Sequence, residues 1–350
     1  MDILVGIDIG YSNLKVVYGS AKNGQVERKM FPATACNAKM ISRSLIGGVS
    51  NEPDVIYVPA EISSESLLGG GADHEEYVVG EKATIIQGFS RELNANYPLT
   101  KSWLAMYRKA LSVTGASEVS LVVLGLPVNQ YNNEDLKAKM KLRCEGRHQI
   151  NSKKEVYVEE VRIIPQSAGP WFDFISQAQD SFIDILEEGR VLIIDPGFYS
   201  VDTALFYEGR FFDRMSITSM YAFSKIIEEA KGLLKEAFNA SPSTEKIETC
   251  IKENKFNLLI SDKKVDIKSY IDRAAESVSN SAIREIMNSV RHDDSTLDMI
   301  ILAGGGPEYY AHAIKEMVGK QPTKIVIPED SVNSIALGYY RYAETVKNSE

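Results

Sequence analysis

Short apolar runs recur along the chain, and most of them end at a small or polar turn. They lie at residues 3–10, 119–127, 190–197 and 299–303, and all are rich in Val, Ile and Leu. Runs of this length and composition are typical of strands that are buried on both faces of a sheet. Further strands are predicted at 14–18, 156–164, 200–207, 210–217 and 324–327.

Between these strands the apolar positions follow the period of a helix. Trp103, Leu104, Tyr107 and Leu111 lie on one stripe, and Gly115 ends it. Further helices are predicted at 136–145, 167–186, 307–318 and 331–346, with a long helical stretch at 220–291 that includes a short hairpin at 254–265. Strands that alternate with helices predict an α/β fold.

One unit of this pattern occurs twice. A strand ends in Asp-x-Gly at Asp8 and again at Asp195, 187 residues later, and another strand follows each turn. An internal repeat at half the chain length predicts two related lobes.

Composition and charge narrow the function classes. The chain of 350 residues is 44% hydrophobic and 25% charged, and it has no basic leader or membrane-length apolar run, so a cytoplasmic protein without membrane contact is expected. The net charge of −9 argues against direct nucleic-acid binding. Three separated cysteines and four histidines without ligand spacing predict neither disulfides nor a zinc site.

The first turn has the chemistry of a phosphate loop. Gly10 allows a bend in which backbone N–H groups and the Ser12 hydroxyl point at an anion. Lys15 can place its ammonium near terminal phosphates, and Asp8 can hold a hydrated Mg²⁺. A plain β-hairpin with a surface turn explains this copy equally well.

The second copy strengthens the phosphate reading. Asp195, Gly197, Ser200 and Asp202 repeat the turn with two carboxylates. At 304–306 a strand runs into Gly304, Gly305 and Gly306, where a base or sugar can lie against bare backbone near a helix N-terminus at Glu308. A tight turn is an equally good explanation of the three glycines alone, but the three motifs in this order are a strong signal.

Over its whole length the chain resembles the actin, Hsp70 and sugar-kinase ATPase superfamily, and within it the plasmid-segregation actins of the ParM/StbA type. Residues 7–15, 194–202 and 302–306 resemble the first phosphate loop, the second phosphate loop and the adenosine loop, and 163–169 resembles the first connecting segment. The resemblance implies a two-lobed actin-like (ribonuclease H-like) ATPase fold with a nucleotide cleft between lobes. We expect the first lobe to comprise 1–180 and a C-terminal helix at 331–350, with a small inserted subdomain at about 32–95. The second lobe is expected at 181–330, with a helical subdomain at about 220–292.

The resemblance also implies site residues. Gln166 occupies the position that orients the attacking water, where ParM-like proteins usually carry Glu and eukaryotic actins carry Gln. Catalysis would involve Gln166, Asp195 and Asp8, the last two holding Mg²⁺ through water. The nucleotide would be bound by Gly10, Tyr11, Ser12, Asn13, Lys15, Gly197, Ser200, Asp202, Gly304, Gly305, Gly306 and Glu308. Pro196, Phe198 and Tyr199 depart from the family's small residues, which puts the phosphate contacts of this loop in doubt.

The implied function is a slow ATPase, using ATP or GTP with Mg²⁺, that polymerises into dynamic filaments. Self-association and an adaptor protein bound to centromere-like DNA are the expected partners, with plasmid segregation as the role. A non-polymerising actin-like scaffold and a small-molecule kinase of the same superfamily are the alternatives.

Overall fold

The chain divides into two compact units, each built on its own mixed sheet. The computed structural model describes residues 2–21, 24–40, 55–61, 73–80, 96–290 and 296–349. The first unit comprises Met1–Gln177 and Asn333–Glu350, and the second comprises Ala178–Val332. Strands and helices alternate in both units, which confirms the predicted α/β class.

The first unit has a six-stranded sheet in the order β3-β2-β1-β7-β9-β8. Strands β1, β7 and β9 are parallel, whereas β2, β3 and β8 pair antiparallel to their neighbours. The strands are β1 (Ile3–Ile9), β2 (Asn13–Ser20), β3 (Val26–Pro32), β7 (Glu118–Leu126), β8 (Gly146–Asn151) and β9 (Lys154–Pro165).

Helices cover both faces of this sheet. They are α1 (Lys101–Val113), α2 (Val128–Tyr131), α3 (Glu134–Cys144), α4 (Gly169–Ile175) and α10 (Ser334–Ser349). Val5 and Ile7 of β1 pack in one core with Leu104 of α1, whereas Leu4 packs in the opposite core with Tyr339 of α10. Because the side chains of a strand alternate between the two faces, an almost wholly apolar β1 is required to fill both cores.

Small residues let α10 lie directly on the sheet and on α4. A Cβ atom on Gly6 of β1 would lie 2.7 Å from the backbone nitrogen of Tyr340. A Cβ atom on Gly338 would overlap the carbonyl group of Gly169 at the start of α4. The two helices therefore cross at backbone contact, which no larger side chain allows.

A second, three-stranded sheet is inserted between β3 and α1. It has the order β4-β6-β5, and its strands are β4 (Ala35–Asn37), β5 (Val55–Pro59) and β6 (His74–Val79). Residues 41–54, 62–72 and 81–95 of the predicted inserted subdomain lie outside the described residues. Two cations of α1 hold the insert: Lys101 donates to Glu75 at 2.8 Å, and Arg108 donates to the carbonyl of Tyr57 at 2.6 Å.

The second unit repeats in its sheet the order of five strands of the first sheet, β3-β2-β1-β7-β9. Its sheet has the order β12-β11-β10-β16-β17, with β13 paired to β11, and a separate hairpin joins β14 to β15. The strands are β10 (Arg190–Pro196), β11 (Val201–Tyr207), β12 (Arg210–Phe212), β13 (Thr218–Ser219), β14 (Asn257–Ile260), β15 (Lys263–Asp266), β16 (Met299–Leu302) and β17 (Lys324–Val326).

The α-helices of the second unit, within its described residues, are α5 (Asp180–Glu188), α6 (Phe223–Phe238), α7 (Thr244–Lys252), α8 (Lys268–Val290) and α9 (Pro307–Val318). Ile226 of α6, Ile286 of α8 and Tyr310 of α9 share one core with Ile194 of β10. Within the described part of the chain, no helix is long and apolar enough to cross a membrane.

The single helix predicted at 167–186 is wrong in one respect. The structure has two helices here, α4 and α5, separated by residues 176–179. Ser176 and Gln177 bond the carbonyl and carboxylate of Asp173, at 2.8 Å each, and polar side chains of this kind compete with helical backbone bonds. The break falls where the chain passes from the first unit to the second.

We expect Gly338→Ala to destabilise the protein by about 1–3 kcal/mol, because the added methyl group must push α10 away from α4. Urea denaturation of the variant measures the change. Gly232→Ala in α6 is the matched control, because nothing lies within 4 Å of its Cβ position. This substitution should increase stability by at most about 1 kcal/mol, since alanine has a higher helix propensity than glycine. Wild-type stability in Gly338→Ala would show that the contact is not tight.

A buried histidine makes the first unit acid-sensitive. His148 in β8 is 2% exposed, and burial, aided by the charge of Arg108, lowers its pKa to about 3. The neutral ring therefore stabilises the fold fully above the unfolded pKa near 6.5, and this stabilisation is lost as the pH falls from there towards 3.

Between pH 7 and pH 5 we expect the wild type to lose about 2 kcal/mol more stability than His148→Gln, which cannot titrate. Urea denaturation at the two pH values checks this difference. His312→Gln, at an exposed position of α9, should follow the wild type. Parallel pH profiles of wild type and His148→Gln would contradict the assignment.

Candidate nucleotide site

The first Asp-x-Gly turn is closed by its own backbone. Strands β1 and β2 pair antiparallel with Asp8 directly opposite Lys15, and the Gly10 N–H donates to the Asn13 carbonyl at 3.1 Å. The Ser12 carbonyl accepts from the N–H of Ala33 at 2.9 Å. The turn of 10–13 is thus fixed both within the hairpin and to the chain that leaves β3.

Asp8 is the centre of a buried polar cluster. Its carboxylate is 4% exposed and accepts from Lys15 Nζ on Oδ2 at 3.1 Å and from Gln166 Nε2 on Oδ1 at 3.2 Å. Gln166 begins the 3-10 turn that follows β9, the second parallel neighbour from β1 in the sheet. The sheet therefore brings together three predicted site residues that are up to 158 positions apart.

The amide of Gln166 is oriented by this contact. Because Nε2 donates to Asp8, the carbonyl oxygen Oε1 is the end that can accept a hydrogen bond from water. An amide can orient water but cannot take its proton, since it has no accessible basic form.

The second unit repeats the hairpin at the same offset of 187 residues. Asp195 lies opposite Asp202, as Asp8 lies opposite Lys15, and the Gly197 N–H donates to the Ser200 carbonyl at 2.9 Å. A Cβ atom on Gly197 would lie 2.9 Å from that carbonyl oxygen, so the tight turn excludes a side chain there. The hairpins predicted at both Asp-x-Gly positions are confirmed.

The two copies differ in charge opposite the first aspartate. Asp202 replaces the position of Lys15, and both Asp195 and Asp202 are 3% exposed. Asp202 accepts hydrogen bonds from Thr218 at 2.6 Å and Ser200 at 2.7 Å. Burial raises the pKa of Asp202, and these two hydrogen bonds act in the opposite direction. Ser200 and Asp202 thus brace the second turn internally, a role that their spacing did not reveal.

The three glycines after β16 have different environments. Gly304 has a φ of +83°, its N–H donates to the Ser331 carbonyl at 3.0 Å, and a Cβ atom there would run into Asp195 and Pro196. Gly304 therefore lets the turn pack against the second hairpin. Gly305 is exposed with open space around it, and Gly306 precedes Pro307, the first residue of α9. Glu308 is exposed in the first turn of that helix.

Three aromatic rings beside this turn were not identified from the sequence. Phe223 lies between Phe198, at 6.2 Å, and Tyr309, at 5.6 Å, measured between ring centroids. All three are half-buried, and Phe223 and Tyr309 are within 4 Å of the Cβ position of Gly306. In sequence Phe198 is a departure from the family pattern, and nothing in sequence spacing links it to Tyr309.

The chemistry of the donors fits a hydrated cation better than a directly bound one. Both oxygens of Asp8 already accept hydrogen bonds, so a Mg²⁺ ion near it would be held through water, which this ion retains readily. Among the described residues, no three His, Cys, Asp or Glu side chains converge on a metal position.

Two units that carry the same hairpin and sheet order, with a glycine turn after the parallel strand of the second, define the actin-like class of α/β folds. Comparisons with known proteins agree. The family "Actin like proteins N terminal domain" matches residues 6–169, and "Archaeal actin homologue MreB-like, C-terminal" matches residues 193–316. A search of curated proteins gave no match.

Solved structures share the fold over nearly the full chain. A 15-stranded ParM filament from Clostridium botulinum is 19% identical with a TM-score of 0.72, covering 98% of this chain and 99% of its own. The archaeal actin homolog Ta0583 in complex with ADP is 16% identical with a TM-score of 0.72, again covering 98% and 99%. Bacillus thuringiensis ParM with AMPPNP is 16% identical with a TM-score of 0.62, covering 99% of both chains.

The chain has the actin-like fold, and a separate actin-like family model matches each of its two units. The family matches and the structural neighbours confirm the predicted fold class and the resemblance on which it was based.

We expect Lys15→Met to destabilise the nucleotide-free protein by about 3 kcal/mol, because it leaves a buried carboxylate without its cation. Asp8→Asn combined with Lys15→Met should recover most of this loss, and urea denaturation of the single and double variants measures the coupling. Lys139→Met removes the exposed i,i+4 pair with Asp135 and should change stability by less than about 0.5 kcal/mol. Equal effects of the two lysine substitutions would mean that Asp8 does not depend on Lys15.

Proposed function

We propose that the protein binds ATP with Mg²⁺, hydrolyses it slowly and assembles into filaments while ATP is bound. The observation that carries this proposal is the cluster of Asp8, Lys15 and Gln166 at the end of a duplicated phosphate-loop hairpin. The likeness to a ParM filament and to relatives named with ADP and AMPPNP supports it.

Each residue of the cluster has a distinct task in this proposal. Gly10 closes the turn through its bond to Asn13, the amides of 11–13 bind phosphate, and Lys15 balances the phosphate charge. Asp8 would hold Mg²⁺ through water, and the ion would supply charge neutralisation on the phosphate oxygens. Asp195 is the corresponding carboxylate of the second unit. Gln166, fixed by Asp8, accepts a hydrogen bond from the attacking water and orients it. Because the Gln166 amide cannot take the proton of the attacking water, which must pass to the released phosphate, we expect hydrolysis to be slow.

Other predicted nucleotide contacts belong to the second unit. Gly197 and Ser200 shape its phosphate loop, braced by Asp202. Gly305 offers exposed backbone to the nucleoside, and Gly306 lies buried against the rings of Phe223 and Tyr309. We assign the exposed carboxylate of Glu308 as the acceptor for the nucleoside hydroxyl groups. Gly304 contributes by its packing against Asp195 and Pro196.

For the biological role we propose segregation of plasmid DNA through an adaptor protein bound to a centromere-like site. The net charge of −9 disfavours direct contact with DNA, because phosphate backbones would be repelled. An adaptor would therefore join filament to cargo, with the filament itself working in the cytoplasm.

With Mg-ATP at micromolar protein, we expect increased light scattering, sedimentable polymer and filaments in negative-stain electron micrographs. ADP in place of ATP should yield little polymer. Absence of polymer together with ATP binding would favour the non-polymerising scaffold, and turnover only with an added metabolite would favour the kinase. Absence of ATP binding would overturn the proposal as a whole.

Gln166→Ala should lower steady-state ATP turnover by about 10- to 100-fold, since the attacking water loses its orienting acceptor. Affinity for ATP should change little, because Gln166 bonds Asp8 rather than the loop backbone. Filaments of the variant should therefore assemble and then persist longer than those of the wild type. Phosphate release and sedimentation over time measure both effects, and unchanged turnover would exclude this role for Gln166.

A further inference from the structure

Tyr97 contacts the first phosphate loop, although no sequence signal placed it there. Its ring stacks on Tyr11 with centroids 5.0 Å apart and planes inclined by 23°. Tyr97 is 6% exposed, whereas Tyr11 is half-buried. A buried ring thus supports the one aromatic side chain of the loop.

Tyr97 is itself held by a rigid segment. It begins the 3-10 turn Tyr97–Leu99, and its carbonyl accepts from both the N–H of Thr100, at 3.0 Å, and the Thr100 hydroxyl, at 2.9 Å. The Thr100 hydroxyl also caps α1 by accepting from the N–H of Trp103 at 3.2 Å. The Tyr97 hydroxyl faces Met106 Sδ at 3.8 Å.

A buried arginine is committed to the same segment. Arg143 of α3 is 5% exposed and donates to the carbonyls of Leu99 and Thr100, the latter at 3.0 Å. Burial lowers the pKa of Arg143, which records the cost of keeping a cation there. A costly buried cation bonded to two successive carbonyls fixes the backbone that follows Tyr97.

The loop has fixed points on either side of Tyr11. Gly10 is bonded to Asn13, and Ser12 to Ala33. Between these two bonds lie the peptide groups on either side of Tyr11, whose ring contacts Tyr97. Those peptide groups carry the amides that a phosphate would accept from in the proposed function.

We propose that Tyr97 is a positioning residue of the first phosphate loop, which it serves by holding the Tyr11 ring and so orienting the loop amides toward nucleotide phosphate. The inference rests on the proposed nucleotide binding. This role of Tyr97 differs from simple core packing, because the loop requires the flat face of the Tyr97 ring and not only its volume.

Three variants distinguish the positioning role from simple core packing. Tyr97→Leu keeps apolar volume in the core but removes the stack, and Tyr97→Phe keeps the stack but removes the hydroxyl. Tyr157→Leu, at an exposed tyrosine of β9 in the same unit, is the matched control. Calorimetric Kd for Mg-ATP, steady-state kcat and KM, thermal unfolding, and hydrogen exchange of residues 9–14 without nucleotide are measured for each.

Tyr97→Leu should raise the Kd and KM for Mg-ATP by about three- to tenfold, which is the change in affinity expected when one aromatic stack is lost. The kcat should stay close to wild type. Exchange of the loop amides should rise in Tyr97→Leu, while Tyr97→Phe and Tyr157→Leu stay within about twofold of wild type. Wild-type values in Tyr97→Phe would show that the loop depends on the ring stack and not on the contact of the Tyr97 hydroxyl.

Unchanged loop exchange in Tyr97→Leu, or a lowered unfolding temperature with wild-type Kd, would overturn the inference and leave the proposed function standing. Faster loop exchange in Tyr97→Leu, in a protein whose wild type binds no Mg-ATP, would overturn the proposed function, and with it the role of Tyr97 toward nucleotide.

Discussion

The constraint on which the first unit depends is a carboxylate that must be kept in a nearly dry environment. Asp8 is the second-last residue of a strand whose apolar side chains fill two cores, so its charge cannot be solvated as it would be on the surface. A buried charge is tolerated only when it is paired and hydrogen-bonded. The antiparallel register supplies Lys15, and the parallel sheet supplies Gln166 at the end of β9. The contacts that allow the fold to bury Asp8 are therefore the same contacts that build the candidate site.

The second unit has the same hairpin backbone as the first, but different side chains occupy it. Its register places Asp202 opposite Asp195, where like charges on neighbouring strands would repel each other. Thr218 and Ser200 donate to Asp202 and offset part of the cost of its burial. The repeat thus conserves the backbone turn closed by Gly10 or Gly197 but assigns its side chains differently. One copy centres on an ion pair, and the other on a carboxylate held by hydroxyl groups.

Short-range patterns in the sequence predict many of the strands and helices and both hairpins. Apolar runs located β1, β7, β10 and β16, the helix predicted at 307–318 matches α9, and the Asp-x-Gly repeat located both hairpins. Contacts between distant segments were not predictable, because periodicity records which face of an element is apolar but not what covers it. The Gly338 contact with Gly169, the stack of Tyr11 on Tyr97 and the hydrogen bond from Thr218 to Asp202 are all of this kind. The split between α4 and α5 was missed because their apolar stripes continue across the break.

The inserted sheet and the turn of residues 10–13 share their supports. Ser12 accepts from Ala33, and the next residue, Thr34, exchanges hydrogen bonds of 2.8 and 2.9 Å with Gly80 at the far end of the insert. Tyr97 leads directly into α1, whose Lys101 and Arg108 hold the insert through Glu75 and Tyr57. A shift of the loop would therefore strain both the stem of the insert and the helix that carries it. Coupling between the two needs no further element, because packed and hydrogen-bonded segments resist independent displacement.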